Sequence, residues 1–205
     1  MHVEEKDQNP SARQQRIAER RNQIIAAARI SFRRRGFHGA GMAEIASLSQ
    51  LSVGQIYRYF TNKEAIIEEI VQRIVKHRIQ LMLDNGNDLD RLADDLTNQS
   101  LLDGDEAEIN QALMLEIAAE ATRNPRVAQI LTEADARLFR QGCDMLQGIY
   151  PQLTPDRAAA LSELIAVLSE GTALRFLTQQ QRVDREQLCQ LYLHIFSTVF
   201  PPGAA

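Results

Sequence analysis

The sequence predicts an all-α protein of about nine helices, on three observations. Apolar residues recur at three- and four-residue spacing through most of the chain, and runs of alternating apolar residues are few. Capping residues stand ahead of the periodic segments, as at Ser52, Thr61, Asn124 and Thr154. With 205 residues and 44% apolar composition the chain can bury a real core, as one domain or as a small domain fused to a larger one.

In order, residues 1–10 are polar, end in Asn9-Pro10 and have nothing to pack with, so a disordered arm is expected. Helix 1 runs from about Ser11 to Arg35, with Ile17, Ile24, Ala28 and Phe32 on one face and Arg13, Arg16, Arg20 and Arg21 on the others; Gly36 stops it. A short helix from Met42 to Ser49 follows, its apolar side made by Ile45, Ala46 and Leu48. Gln50 and Leu51 then turn the chain into a helix over about 52–60, capped by Ser52 and carrying Val53, Ile56, Tyr57 and Phe60. Thr61 to Glu64 has capping-box spacing for helix 4, which extends to about Leu83 with a broad stripe of Ile66, Ile67, Ile70, Val71, Ile74, Val75 and Ile79. Asn85-Gly86-Asn87 ends it, and Asp103-Gly104-Asp105 separates helices 5 and 6. Asn124-Pro125 and Thr154-Pro155 open helices 7 and 8, the latter reaching about Gln180, and helix 9 runs from Asp184 to Val199 before Pro201-Pro202-Gly203.

Two short helices joined by a tight turn, within Met42 to Lys63, outline a helix-turn-helix. Its exposed residues, Val53, Gly54, Gln55, Tyr57, Arg58, Tyr59 and Lys63, are an amide, phenols and cations suited to phosphates and base edges. The charge distribution agrees. Residues 1–63 carry eleven Lys/Arg against five Asp/Glu, a net +6, and the remainder twelve against twenty-two, a net -10, summing to the formal -4. A basic module meeting a polyanion while an acidic body stays in solvent fits that asymmetry. The arginines of helix 1, Arg16 among them, either contact phosphate or form a solvated face.

Enzymatic classes fare poorly. His2, His38, His77 and His194 lie in unrelated segments, and Cys143 and Cys189 have no partner at a metal-ligand or redox spacing, so no metal or cofactor is expected. The cysteines read as buried small hydrophobes in a reducing compartment. No signal peptide and no bilayer-length apolar run is seen, so the expectation is a cytoplasmic, soluble protein, on the nucleoid when bound to an operator.

The run IYRYFTNKEAI, with Gly36-Phe37, Ile45-Ala46, Ser52, Gly54 and Lys63-Glu64, resembles the TetR/AcrR family of bacterial transcriptional regulators over about the first 70 residues; beyond them the helix pattern, the length and LEIAAEATRNPRVAQIL are similar to family members. The resemblance implies a DNA-binding domain over 11–63, a helical effector-binding and dimerisation domain over 64–200, and phosphate clamps at Tyr57 and Lys63. The chain departs from the pattern at Ala40 and Gly41, where threonines are frequent, at Ala43, where a cation is frequent, and at Gln50, a turn position often held by glycine. With that hydroxyl cap and cation missing, the backbone N–H groups opening helix 2, at Met42 and Ala43, are the substitute phosphate donors.

A recognition helix reaches only a few base pairs, so a homodimer on a palindromic operator in double-stranded DNA is required, with half-sites about one helical turn apart or a multiple of it. Gln55 suits an adenine edge, Val53 a thymine methyl, and Gly54 allows close approach; Arg58 suits guanine or phosphate. Tyr59 and Phe60 read mainly as packing. Helices 8 and 9 are apolar on more than one face and so suit a dimer interface, using Leu161, Ile165, Leu168, Gly171, Leu188, Tyr192, Ile195 and Val199. Helix 6 is apolar nearly all round. Either Glu120 pairs with Arg123 on an outer turn, or Glu116 or Glu120 faces a pocket walled by Met114, Ile117, Phe139, Cys143, Leu168 and Phe176 that binds a cationic or hydrogen-bonding effector. The alternative to a small effector is control by a protein partner.

Overall fold

The computed structural model describes residues 12–85, 88–98, 107–176 and 183–201. The arm expected over residues 1–10, Gly86-Asn87, the Asp103-Gly104-Asp105 separator, residues 177–180 of helix 8, Pro202-Gly203 and the Phe176 side chain lie outside the described residues.

Nine α-helices and no strand are present among the described residues: α1 Ala12–Gly39, α2 Met42–Ser49, α3 Val53–Ile56, α4 Lys63–Asn85, α5 Leu89–Asn98, α6 Ala107–Ala121, α7 Pro125–Ile149, α8 Pro155–Phe176 and α9 Arg185–Val199. They fall into two compact units that divide inside α4, between Glu69 and Ile70, six residues beyond the expected boundary at Lys63. Glu69 explains the difference. Its carboxylate accepts a hydrogen bond from Arg21 of α1, so the opening turns of α4 belong to the N-terminal unit.

In that unit Ile24, Ala28 and Phe32 of α1, Ile45 and Ala46 of α2, Ile56 of α3, Phe60, and Ile66 and Ile67 of α4 are buried. Ile17, expected on the same face of α1, is exposed; the buried face begins only at Ile24. Gly36 interrupts α1 as expected, at φ 66°, ψ 170°, a region essentially closed to residues with a Cβ; one further turn then carries the chain to Gly39. Gln50 holds the left-handed conformation (φ 55°) at the turn between α2 and α3, where its N–H and that of Leu51 donate back to Ser47 and Ala46.

The C-terminal unit centres on Ala93 and Leu96 of α5, Leu146 and Tyr150 at the end of α7, Ala158 and Leu161 of α8, and Phe196 and Phe200 at the end of α9. The Phe196 and Phe200 rings meet edge to face at 5.9 Å, and Tyr150 lies 6.0 Å from Phe200. Local chemistry sets the helix starts: Asn124 accepts from Arg126 and Val127 ahead of Pro125, Thr154 from Arg157, Asp88 from Arg91, and Asp184 from Glu186 and Gln187. At α4 the cap is Asn62, which accepts from Ala65 at 2.8 Å, and not Thr61. The cap thus falls one residue beyond the expected Thr61 and is a single bond and not a box, since Ala65 has no side chain to bond back; asparagine caps at least as well as threonine.

Candidate nucleic-acid interface and effector cavity

The helix-turn-helix is held by side chains that reach across the sequence. Arg21 is the centre of this lattice: it donates to the Tyr59 carbonyl at 3.0 Å and to Glu69, and its guanidinium lies 4.4 Å from the centre of the Phe60 ring. It thereby fixes the end of the recognition segment to α1 and α4, a role outside the two that the sequence left open for the arginines of helix 1, phosphate contact or a solvated face. Gln23 donates to the Ser49 carbonyl, joining α1 to the end of α2.

Lys63 differs from the expectation of a phosphate clamp. Its ammonium donates to the carbonyls of Phe37 (2.8 Å) and Ala40 (3.0 Å) and sits 4.3 Å from the Phe37 ring centre. Two of its three donors satisfy the carbonyls that the end of α1 leaves open, so the residue closes the turn into α2.

The recognition segment is shorter than the expected 52–60. α-Helical geometry covers Val53–Ile56, and Tyr57 to Phe60 close it as turns, through Arg58 to Gln55 (3.2 Å) and Tyr59 to Ile56 (2.8 Å) bonds. Ser52 and Gln55 form a capping box: the Ser52 hydroxyl accepts the Gln55 N–H (3.2 Å), and the Gln55 side-chain carbonyl accepts the Ser52 N–H (2.8 Å). That second bond alters the chemistry expected of Gln55. Its acceptor is already engaged, so the amide offers mainly its NH2 donors, which match acceptors on a base edge better than the donor-acceptor pair of adenine.

Gly54, Gln55, Tyr57 and Arg58 are exposed together, with Val53 and Tyr59 half-buried beside them. A Cβ at Gly54 would meet nothing within 4 Å, so packing does not require glycine there. Tyr59 joins Arg13, Arg16, Ile17 and Arg20 of α1 along one groove, which brings two sequence-predicted residues, Arg16 and Tyr59, onto a common basic surface. At α2 the cap is Gly41, without a side-chain cap bond, and Met42 and Ala43 open the helix half-buried and exposed.

In the C-terminal unit a cavity of about 200 Å³ lies between α4, α5, α7 and α8, with Tyr150 and Phe200 also in its lining. Leu81, Met82, Leu92, Phe139, Met145 and Ile165 supply much of its apolar wall, with Arg78, Ser162, Ser169 and Glu170 among the polar groups. Burial raises the Tyr150 phenol above its ordinary pKa, keeping it a neutral hydroxyl. Gly142 permits the α7–α8 approach beside the cavity: a Cβ there would lie 2.5 Å from the Ser162 hydroxyl.

Of the expected pocket residues Phe139 alone is in this lining. Glu120 is buried, and its carboxylate accepts from Arg123 at 2.7 Å. Ile117 is buried, Met114, Glu116 and Cys143 are half-buried, and Leu168 packs on the core cluster. None of them is in the cavity lining: α6, which carries Met114, Glu116, Ile117 and Glu120, contributes no residue to it, and Cys143 of α7 and Leu168 of α8 stand beside lining residues without joining them. Sequence reading missed Arg78. Its signal was position: Arg78 stands four residues after Ile74 and seven after Val71, a charge on an otherwise apolar stripe.

The residues expected at a dimer interface divide. Leu161 is in the protomer's own core and Ile165 in the cavity wall. Leu168, Leu188, Tyr192 and Val199 are half-buried, and Gly171 and Ile195 are exposed. Val167, Leu174 and Leu191, all more than half exposed, complete an apolar surface on α8 and α9. Cys143 and Cys189 are free and only half-buried. Among the described residues no helix is long and apolar enough to cross a membrane, and no cluster of His, Cys, Asp or Glu could hold a metal ion.

Comparison with known proteins gives these geometries a common context. Residues 24–70 match the family model described as bacterial regulatory proteins, tetR family, and residues 90–201 match that of the BetI-type transcriptional repressor C-terminal domain. The regulator UidR of Escherichia coli K12 is 33% identical over 114 residues, 54% of this chain and 56% of that regulator, so the chain spans little more than half the length of that curated relative. The regulator BetI of Ectopseudomonas mendocina is 25% identical over 173 residues, 82% of this chain and 87% of that protein. GusR of Salmonella enterica has the same fold, with a TM-score of 0.65 at 23% identity over 89% of this chain and 95% of that one. UidR and BetI are both transcriptional regulators of the helix-turn-helix type. The match over 90–201 takes in more than half of the sequence, and with the helix-turn-helix at its head the chain belongs to the TetR family of bacterial transcriptional regulators.

Proposed function

We propose that the protein is a transcriptional repressor that binds a palindromic operator as a homodimer and is released by a small molecule held in the C-terminal cavity. The observation that carries the DNA reading is the joint exposure of Gly54, Gln55, Tyr57 and Arg58 on a segment fixed from behind by Arg21 and Lys63. Such rigid mounting is what base reading needs. Arg16, Arg20 and Tyr59 supply phosphate contacts, with the uncapped N–H groups at Met42 and Ala43 adding a helix-terminus site.

Dimerisation uses the exposed apolar surface of α8 and α9, with Val167, Leu174, Leu191 and Ile195 at its centre and Gly171 allowing close crossing. Release works through α4. This one helix carries Glu69 and Lys63, bonded within the N-terminal unit, and Arg78, Leu81 and Met82 of the cavity wall; Arg78 is nine residues, about 13 Å of helix, beyond Glu69. A ligand that favours one position of α4 shifts the population competent for DNA by its difference in affinity for the two states. Control by a protein partner is the competing reading, and a ligand that binds the cavity and lowers operator affinity decides against it. Footprinting on DNA flanking the protein's own gene tests the whole: protection of an inverted repeat is expected, and protection of no palindrome contradicts it.

A further inference from the structure

We propose that the cavity selects a small amphipathic anion, a carboxylate on an apolar body, with the Arg78 guanidinium as its anchor. This rests on the cavity being the effector site and names the ligand class. Four carboxylates and two guanidiniums line the cavity, which by count favours a cation, as did the sequence expectation drawn from Glu116 and Glu120. Their placement reverses that conclusion. Asp88 is the cap of α5, bonded to the Arg91 N–H at 2.8 Å, and Asp95 pairs with Arg91 at 3.9 Å. Asp88, Asp135 and Glu170 are exposed, where water screens them.

Arg78 is the charge that the apolar wall encloses. Burial lowers its pKa, the attraction of Glu170 opposing but not cancelling that effect. It is half-buried and lines the cavity. A carboxylate arriving there restores what burial removed, through two parallel charge-assisted bonds that a guanidinium fork is shaped to give. Tyr150 and Ser162 add neutral donors, and Leu81, Met82, Phe139 and Ile165 receive the apolar part.

The test uses the full chain and a panel of arylalkyl carboxylates with one to four methylenes, each with its amide and its trimethylammonium counterpart, titrated calorimetrically. At least one carboxylate is expected to bind tenfold or more tightly than both counterparts. Arg78→Met brings it within threefold of its amide, Arg78→Lys retains part of the preference, and Ala166→Phe, which fills the cavity, weakens every member at least tenfold. Should Arg78→Met fold poorly, the carboxylate-to-amide ratio in Arg78→Gln carries the same test. Preference for the trimethylammonium ligands, or a carboxylate preference that survives loss of Arg78, overturns the anchor while the Ala166→Phe effect keeps the cavity reading. Binding indifferent to Ala166→Phe, or no binding by any member, overturns the cavity reading and the anchor together.

Discussion

Replacing Arg21 by methionine keeps the apolar stem and removes the guanidinium that holds the recognition segment. Three interactions are lost. The bond to the Tyr59 carbonyl is charge-assisted and part-buried, worth about 1.5 kcal/mol. The Glu69 pair has side chains 33% and 22% exposed, which discounts it to about 1 kcal/mol. The Phe60 ring adds about 0.5 kcal/mol. Together they give a loss of about 3 kcal/mol, concentrated on the N-terminal unit, where a factor of ten corresponds to about 1.4 kcal/mol. Native-state hydrogen exchange reads this directly: amides of Ile45, Ile56 and Ile66 should exchange roughly 100-fold faster, while those of Leu146 and Leu161 in the C-terminal unit are unchanged. A double-mutant cycle with Glu69→Gln should return a coupling of about 1 kcal/mol. A loss below about 1 kcal/mol, or acceleration spread equally over both units, refutes the assignment of Arg21 as the tie within the helix-turn-helix.

Other changes separate folding from reading. Gly36→Ala forces a Cβ into φ 66°, ψ 170° and should lower stability by about 1–3 kcal/mol in denaturant unfolding. Gln50→Gly removes left-handed strain of about 1 kcal/mol but loosens the unfolded chain, leaving a net gain of about 0.5 kcal/mol in the same measurement. Leu191→Glu places a charge on the exposed α8–α9 surface and should convert dimers to monomers in sedimentation while the helical content measured by circular dichroism is kept. Gln55→Ala removes both the reading amide and half of the capping box, so selectivity among operator variants and stability should fall together, the latter by about 0.5–1 kcal/mol; Arg58→Ala should lower affinity with stability unchanged.

The elements legible in the sequence are those whose causes are local. Ser52, Asn124, Thr154 and Asp184 announce helix starts because a cap bonds its own neighbours, and Gly36 marks a break because its conformation excludes other residues. Partner choice over distance was not legible. Arg21 showed no sign of a structural role because the Tyr59 carbonyl and Glu69 are 38 and 48 residues away, and the Phe37 and Ala40 carbonyls that Lys63 reaches lie before α2, 26 and 23 residues back. The same limit hid the cavity: helix 6 was the most apolar of the candidates, yet the cavity lies where Gly142 lets α7 approach α8 and where Arg78 interrupts the stripe of α4. Which apolar face of α8 meets its own core and which stays exposed also depends on the partner helices, so Leu161 and Val167 could not be sorted from periodicity.

The central claim is that exposed residues at Gly54 to Arg58 read DNA in pairs related by two-fold symmetry. Selection of bound duplexes from a random-sequence pool by the full-length protein tests it most directly. An enriched inverted repeat with half-site centres about one helical turn apart, or a multiple of it, is the predicted outcome. Enrichment of a single non-repeated site, or of no sequence at all, contradicts the account.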